Sequence, residues 1–228
     1  MSKVAAVLIT ASPTGATSEC GPDDAFLTKI DGRESALRAM ELMTNRDPIG
    51  QVMLVIDPAH AEQTKFKLAS HLMFMGTKLV QATGGWFGQL NAALAKLDAD
   101  VTHVLVHDAA RPAVPYPDLE ALLATDGPAV ALALPLRGTL ARADVVPGPG
   151  TIEAMRVAEI LTPRRYDRAT FETLCAKKAE PSPLMLIEAS PLNVRCSDVP
   201  ANLVKAMVSL LPKPKVKAPS NPFEEAQW

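Results

Sequence analysis

The sequence predicts an α/β domain whose mostly parallel sheet is covered by helices on both faces, a three-layer αβα arrangement. Three observations lead there. Short β-branched and aliphatic runs recur along the chain, segments of helical periodicity separate them, and the runs are continuous rather than alternating, as expected of strands buried on both sides.

Residues 3–10 form a Val- and Ala-rich run that ends in Ala11-Ser12-Pro13-Thr14-Gly15, so a first strand passes into a loop. Over 34–44, Leu37, Met40 and Leu42 or Met43 recur at helical spacing. Residues 52–56 read as a second buried strand closed by Asp57-Pro58. Helical spacing returns over 59–75 through Ala61, Phe66, Leu68, Leu72 and Met75, and 78–81 make a short third strand. A helix over 86–97, a strand over 103–107, a helix over 117–124 with Pro117 near its first turn, and a strand over 129–134 complete the alternation. Strands joined through helices imply right-handed crossovers and parallel pairing. From 135 to 161 the regularity changes. The turn Pro147-Gly148-Pro149-Gly150 between two short extended stretches predicts a protruding β-hairpin arm at about 136–160. Helices are expected over 167–178 and 201–211. The Pro- and Lys-rich end predicts a flexible tail over 212–228 attached to a domain of residues 1–211.

Composition excludes several classes. The chain has 228 residues, 48% of them hydrophobic, and a net charge of −2, enough to bury the core of one domain. No apolar run approaches a membrane span and the first strand is too short for a secretory core, so a cytoplasmic protein is expected. Cys20, Cys175 and Cys196 are scattered and odd in number, which gives neither a disulfide framework nor paired metal ligands. Two Trp, two Tyr and a slightly acidic balance offer no basic or stacking surface for nucleic acid. No Gly-x-Gly-x-x-Gly follows the first strand, which argues against a dinucleotide oxidoreductase.

The chemistry points to Val104-Leu105-Val106-His107-Asp108-Ala109-Ala110-Arg111-Pro112, an apolar strand that ends in an acid and a base, where open α/β sheets hold ligands. His107-Asp108-Ala109-Ala110-Arg111-Pro112 after a buried strand resembles the signature of the 2-C-methyl-D-erythritol 4-phosphate cytidylyltransferase family. The order of elements and the hairpin extend the resemblance over residues 1–211. It implies a Rossmann-like nucleotidyltransferase fold, transfer of CMP from CTP (or another NTP) to a small phosphorylated polyol with release of pyrophosphate, Mg²⁺ as cofactor, and a homodimer joined through the arm. By resemblance, Asp108 and Arg111 are the catalytic candidates. Ala11, Ser12, Gly84, Gly85, Asn91 and Asp108 would line the nucleotide, Asp108 would hold the metal, and Thr139, Thr162 and Arg164 would take the second substrate's phosphate.

Other readings of the same residues stay open. Asp108 also suits a cap for the loop, Arg111 a structural partner for Asp108, His107 a satisfied and partly buried imidazole, and Trp86 and Phe87 core packing. The chain departs from the family pattern where the triphosphate is expected. Ser12 and Thr14 replace loop glycines, Ala16 replaces an Arg, Ala25 replaces a Lys, and in Gly84-Gly85-Trp86-Phe87-Gly88-Gln89-Leu90-Asn91 a Gly stands for another Arg. Gly138-Thr139-Leu140-Ala141 keeps only the Thr of Asp-Thr-x-Lys. The late Asn-Ile-Lys is matched with Asn202-Leu203-Val204. Each missing donor at developing charge is worth about 3–4 kcal/mol. The residues therefore leave an active transferase and a nucleotide-binding or scaffolding relative both open, with Lys29, Arg33, Arg164 and Arg165 as the cations to test for compensation.

Overall fold

β1 (Val4–Ile9) is buried at every position and is an interior strand of a seven-stranded sheet. The computed structural model describes residues 3–11, 24–44, 46–136 and 158–211. A short hairpin, β2 (Lys29–Ile30) and β3 (Arg33–Glu34), turns through Asp31 and Gly32 at positive φ and leads into α1 (Ser35–Thr44). There follow β4 (Ile49–Ile56), α2 (Ala61–Phe74), β5 (Lys78–Gln81), α3 (Gly85–Leu94), β6 (His103–Asp108), α4 (Tyr116–Ala124) and β7 (Ala129–Pro135). After residues outside the description come β8 (Ala158–Asp167), α5 (Arg168–Lys177), β9 (Met185–Glu188) and α6 (Ala201–Leu210).

The sheet order is β5-β4-β1-β6-β8-β7-β9. β1 pairs in parallel with β4 and β6, β4 with β5, and β7 with β9; β8 alone runs against its neighbours. Side chains alternate across a strand, so β1 feeds two cores at once. Val4, Ala6 and Leu8 pack with Leu37, Met40 and Met43 of α1, Leu68 and Leu72 of α2, Leu119 and Leu122 of α4 and Val204 of α6. Ala5, Val7 and Ile9 face the opposite way, onto Trp86, Leu90 and Ala93 of α3 and Phe171 and Leu174 of α5. The expected three layers are thus present.

Local chemistry starts the helices where the sequence suggests. Asp57 accepts from the Ala59 N–H at 2.9 Å ahead of α2, and Asp167 accepts from the Thr170 N–H at 2.7 Å at the start of α5. Pro115 and Pro117 open α4.

The small β2–β3 hairpin was not expected, nor were two strands of the main sheet. β8 carries Pro163 and two arginines, a composition that argues against a central strand. It is tolerated because the β7–β8 register is irregular between Ala131 and Ala133, and because both buried arginines find partners for their guanidinium groups. Arg165 donates to the carbonyls of Leu123, Thr125 and Gly127, satisfying the C-terminal end of α4. β9 is a mostly exposed edge strand of four residues, and its apolar run Met185-Leu186-Ile187 is too short to mark a strand by itself. The expected hairpin turn and the tail over 212–228 lie outside the described residues; the only part of the arm described is its base, Leu134–Pro135 against Ala158–Glu159.

Leu54 on β4 is fully buried in the core shared with α1 and α2. Leu54→Ala is expected to destabilise the fold by about 2–5 kcal/mol, read as a lowered urea midpoint with unchanged m-value.

Candidate active site

The parallel pairing of β1 and β6 sets Ile9 opposite Asp108, so both strands deliver their carboxyl ends to one mouth of the sheet. Asp108 is fully buried there. Its Oδ1 accepts the Ala110 N–H at 2.8 Å, and its Oδ2 accepts Arg195 Nε–H at 2.8 Å with Arg111 Nε at 3.8 Å. Its own N–H donates to Thr162 Oγ1 at 3.1 Å. Arg111 Nη1 donates to the Asn193 carbonyl at 2.7 Å, and Asn193 Nδ2 donates to the Thr162 carbonyl at 2.7 Å. These bonds close a ring through the end of β6, the middle of β8 and the loop after β9. Ser35 Oγ on Ala109 and the Cys196 N–H on Ala110, each at 2.8 Å, fasten the same turn from two further sides.

Burial pushes the Asp108 carboxyl upward, while Arg195, the Ala110 N–H and Arg111 pull it back. His107 beside it is also fully buried. Its Nε2 lies 3.0 Å from the Arg111 carbonyl, which makes Nε2 the protonated nitrogen, and Nδ1 has no partner among the described residues. Burial lowers the His107 pKa to about 3, so the imidazole is neutral at physiological pH. The expectation of a satisfied histidine holds only for Nε2.

The β1 side of the mouth is held by a residue the sequence analysis did not single out. Gln89, on α3 and 2% exposed, accepts the Thr10 and Ala11 N–H groups on Oε1 at 3.0 and 3.1 Å and donates from Nε2 to Thr10 Oγ1 at 3.1 Å. Ala11 is thus at the mouth with its N–H engaged; Ser12 and Thr139 lie outside the described residues. Gly84 and Gly85 turn at φ of 88° and 60° into α3. A Cβ at Gly88 would meet the Thr83 carbonyl oxygen at 2.0 Å, so the residue aligned with a family Arg cannot carry a side chain here.

Several expected roles are corrected. Asn91 is exposed and its Nδ2 donates to the Phe87 carbonyl of its own helix; the inward polar residue of α3 is Gln89. Arg164 does not face the mouth as a free cation. It is 5% exposed, ion-paired to Glu180, bonded to the Leu161 and Ile160 carbonyls, and stacked 5.5 Å from the centroid of Trp86. The match of Asn-Ile-Lys to Asn202-Leu203-Val204 fails because Asn202 and Leu203 are exposed on α6; Asn193-Val194-Arg195 brings an Asn and a cation to Asp108 instead. That triplet was visible in the sequence as the same pattern with Arg for Lys. As a Mg²⁺ ligand Asp108 does not fit: both oxygens are committed, the group has no exposed surface, and among the described residues no three His, Cys, Asp or Glu cluster around a common point.

The vacated cationic positions are not refilled by the four residues considered. Ala25 is buried, Lys29 Nζ stands 3.8 Å from Glu34, Arg33 pairs with Glu41 at 2.9 Å, and Arg164 and Arg165 are spent within the sheet. Arg111 and Arg195 are the cations that the described residues bring to the mouth.

Two measurements check this geometry. His107 is depressed from its ordinary 6.5 to about 3, so the unfolded chain binds the extra proton and stability falls as pH drops below 6.5. About 2 kcal/mol should be lost between pH 7.5 and pH 5, visible in urea midpoints and reduced in His107→Asn. Gly88→Ala should destabilise by about 1–3 kcal/mol or more, whereas a site open to an arginine would accept the methyl at no cost.

Comparison with known proteins agrees with this architecture. The sequence model of 2-C-methyl-D-erythritol 4-phosphate cytidylyltransferase matches residues 5–197. The curated enzyme of that name from Streptomyces coelicolor is 31% identical over 157 residues, 64% of this chain and 58% of the relative; that of Streptomyces avermitilis is also 31% identical, over 64% and 63%. The matches thus span less than two thirds of those relatives' length. Among solved structures, 4-diphosphocytidyl-2C-methyl-D-erythritol synthase from Anaerococcus prevotii superposes with a TM-score of 0.72 at 16% identity, covering 91% of this chain and 96% of that one. The 2-C-methyl-D-erythritol 4-phosphate cytidylyltransferase of Thermus thermophilus gives 0.65 at 21%, covering 92% and 100%. With the shared fold, the Asp108–Arg111 turn at the mouth of the sheet and a sequence match across most of its length, this chain belongs to the 2-C-methyl-D-erythritol 4-phosphate cytidylyltransferase family.

Proposed function

We propose that the protein transfers CMP from CTP to a small phosphorylated polyol, 2-C-methyl-D-erythritol 4-phosphate by its family. The observation that carries this reading is the intact His107–Pro112 turn at the mouth of β1 and β6, with two guanidinium groups beside one carboxylate, within the family match. In such a transfer an oxygen of the acceptor phosphate attacks the α-phosphorus, the bond to the β-phosphate breaks, and pyrophosphate leaves. Two anions must meet, so the protein contributes positioning and neutralisation rather than covalent chemistry.

In this reading Arg111 and Arg195 supply the positive field, and Asp108 holds both in register from beneath. The Gly84-Gly85 turn lets the nucleotide approach the backbone at the N-terminus of α3 closely. Gln89 keeps the end of β1 fixed where the loop toward the phosphates begins. Thr162 acts through its hydroxyl, which anchors Asp108, and Thr139 is assigned to the acceptor's phosphate by resemblance. The homodimer through the arm at 136–160, a domain over 1–211 with a separate tail, and a cytoplasmic setting belong to the same proposal; among the described residues no helix is long and apolar enough to cross a membrane.

Pyrophosphate release from CTP plus 2-C-methyl-D-erythritol 4-phosphate tests the reading directly. Turnover is expected with the wild-type chain, with kcat/KM reduced about 10²–10³-fold in Arg111→Ala and less severely in Arg195→Lys than in Arg195→Ala. Absence of release with all four NTPs refutes the transferase reading, and CTP binding without turnover would return the scaffolding one.

A further inference from the structure

A backbone carbonyl, rather than a carboxylate, sets where the Arg111 guanidinium lies. Its Nη1 donates to the Asn193 carbonyl at 2.7 Å, whereas Asp108 and Glu159 stand 3.8 and 3.7 Å from its other nitrogens, beyond hydrogen-bond length. That carbonyl belongs to the turn after β9, in which the Asn193 N–H donates to the Ser190 carbonyl and the Leu192 N–H to Ser190 Oγ, each at 3.2 Å. The turn is gripped in its own right by Asp118, in the first turn of α4, whose Oδ2 accepts the Ser190 N–H at 2.8 Å. Asp118 is half-buried and pairs with no cation among the described residues. Burial raises its pKa, and the Ser190 N–H is what draws it back.

We propose that Asp118 is a positioning residue for Arg111, acting through the Ser190–Asn193 turn. The two side chains stand at the ends of one segment, in which Pro112, Pro115 and Pro117 fix three φ angles and Ala113 and Val114 are buried. Segment and turn close a clamp: Asp118 holds Ser190, Ser190 holds Asn193, Asn193 holds Arg111, and the proline-stiffened chain returns to Asp118. Without the Asp118 contact the turn stays attached through Asn193 to Thr162 and through Cys196 to Ala110, but its Ser190 end is released. The carbonyl that aims the guanidinium then loses its fixed spacing, and a misplacement of about 1 Å at a positioned group can cost on the order of 10²-fold in rate. A negative charge near the N-terminus of α4 would also favour the helix dipole. That role needs only the charge, whereas the clamp needs only the acceptor oxygen, so asparagine separates the two. The use made of Arg111 rests on the transferase reading; the clamp itself does not.

Pyrophosphate release and amide hydrogen exchange, both on the full chain, test the clamp. Asp118→Ala is expected to lower kcat/KM about tenfold, and Asp118→Asn to regain most of that loss. Added to Arg111→Ala, Asp118→Ala is expected to cost less than about twofold, because both substitutions act through one guanidinium. The Asn193 and Val194 amides are expected to exchange about tenfold faster in Asp118→Ala and close to the wild-type rate in Asp118→Asn. Equal losses of kcat/KM in Asp118→Ala and Asp118→Asn identify a charge at the helix end and overturn the proposal. So does a full tenfold further loss in the Arg111→Ala background, which is general destabilisation, and so does unchanged exchange at Asn193 in Asp118→Ala. A wild-type chain that releases no pyrophosphate refutes the transferase reading instead, and exchange at Asn193 then decides the clamp by itself.

Discussion

A carboxylate with no access to water has to be matched by positive charge and N–H donors, and Asp108 imposes that requirement on the whole mouth of the sheet. Arg195 answers it from a loop that is 87 residues away in sequence. Because Arg195 is drawn inward, its neighbours Asn193 and Cys196 are fixed on Thr162 and Ala110, and the loop after β9 becomes a wall of the site. Arg111 is then held between Asp108 and the Asn193 carbonyl rather than swinging free. Of the two readings of Asp108 the cap is the one present: it accepts the Ala110 N–H of its own turn, and it also pairs with the guanidinium groups of Arg195 and Arg111.

At the start of α3 the departure from the family pattern at Gly88 sits beside a polar contact to β1. A side chain at Gly88 is barred by the Thr83 carbonyl, and one residue further on Gln89 reaches the N–H groups of Thr10 and Ala11. A single amide therefore bridges the end of β1 to α3 beside the position that admits no side chain. Arg164 follows the same logic from the other side. Its guanidinium is committed to Glu180 and to the face of Trp86, so it stiffens the sheet next to the mouth.

Most regular elements were legible because their signals are local. Continuous apolar runs gave β1, β4, β6 and β7, helical spacing gave α1 to α6, and boundaries differ by a few residues at most. β8 and β9 were not legible. A strand holding Pro163, Arg164 and Arg165 declares itself only through partners on α4 and near Glu180, and a four-residue edge strand is too short for a period to be read. At the site, Asp108 and Arg111 stood out by sequence because charge interrupts an apolar run. Arg195 and Gln89 did not, since their roles depend on which distant backbone groups they reach. Asn91 was favoured over Gln89 by counting along a motif, but the helix turns Gln89 inward and Asn91 to solvent.

The antiparallel insertion of β8 has an evolutionary corollary. Pro135 and Ala158 are direct ladder neighbours, so the polypeptide between them leaves and rejoins the sheet at adjacent points. Lengthening, shortening or rewriting that excursion leaves the hydrogen-bond register on either side intact, and the closure entropy changes only slowly with its length. Selection can therefore rewrite the residues between them without renegotiating the stability of the three-layer scaffold, which separates the pace at which that stretch drifts from the pace at which the scaffold does.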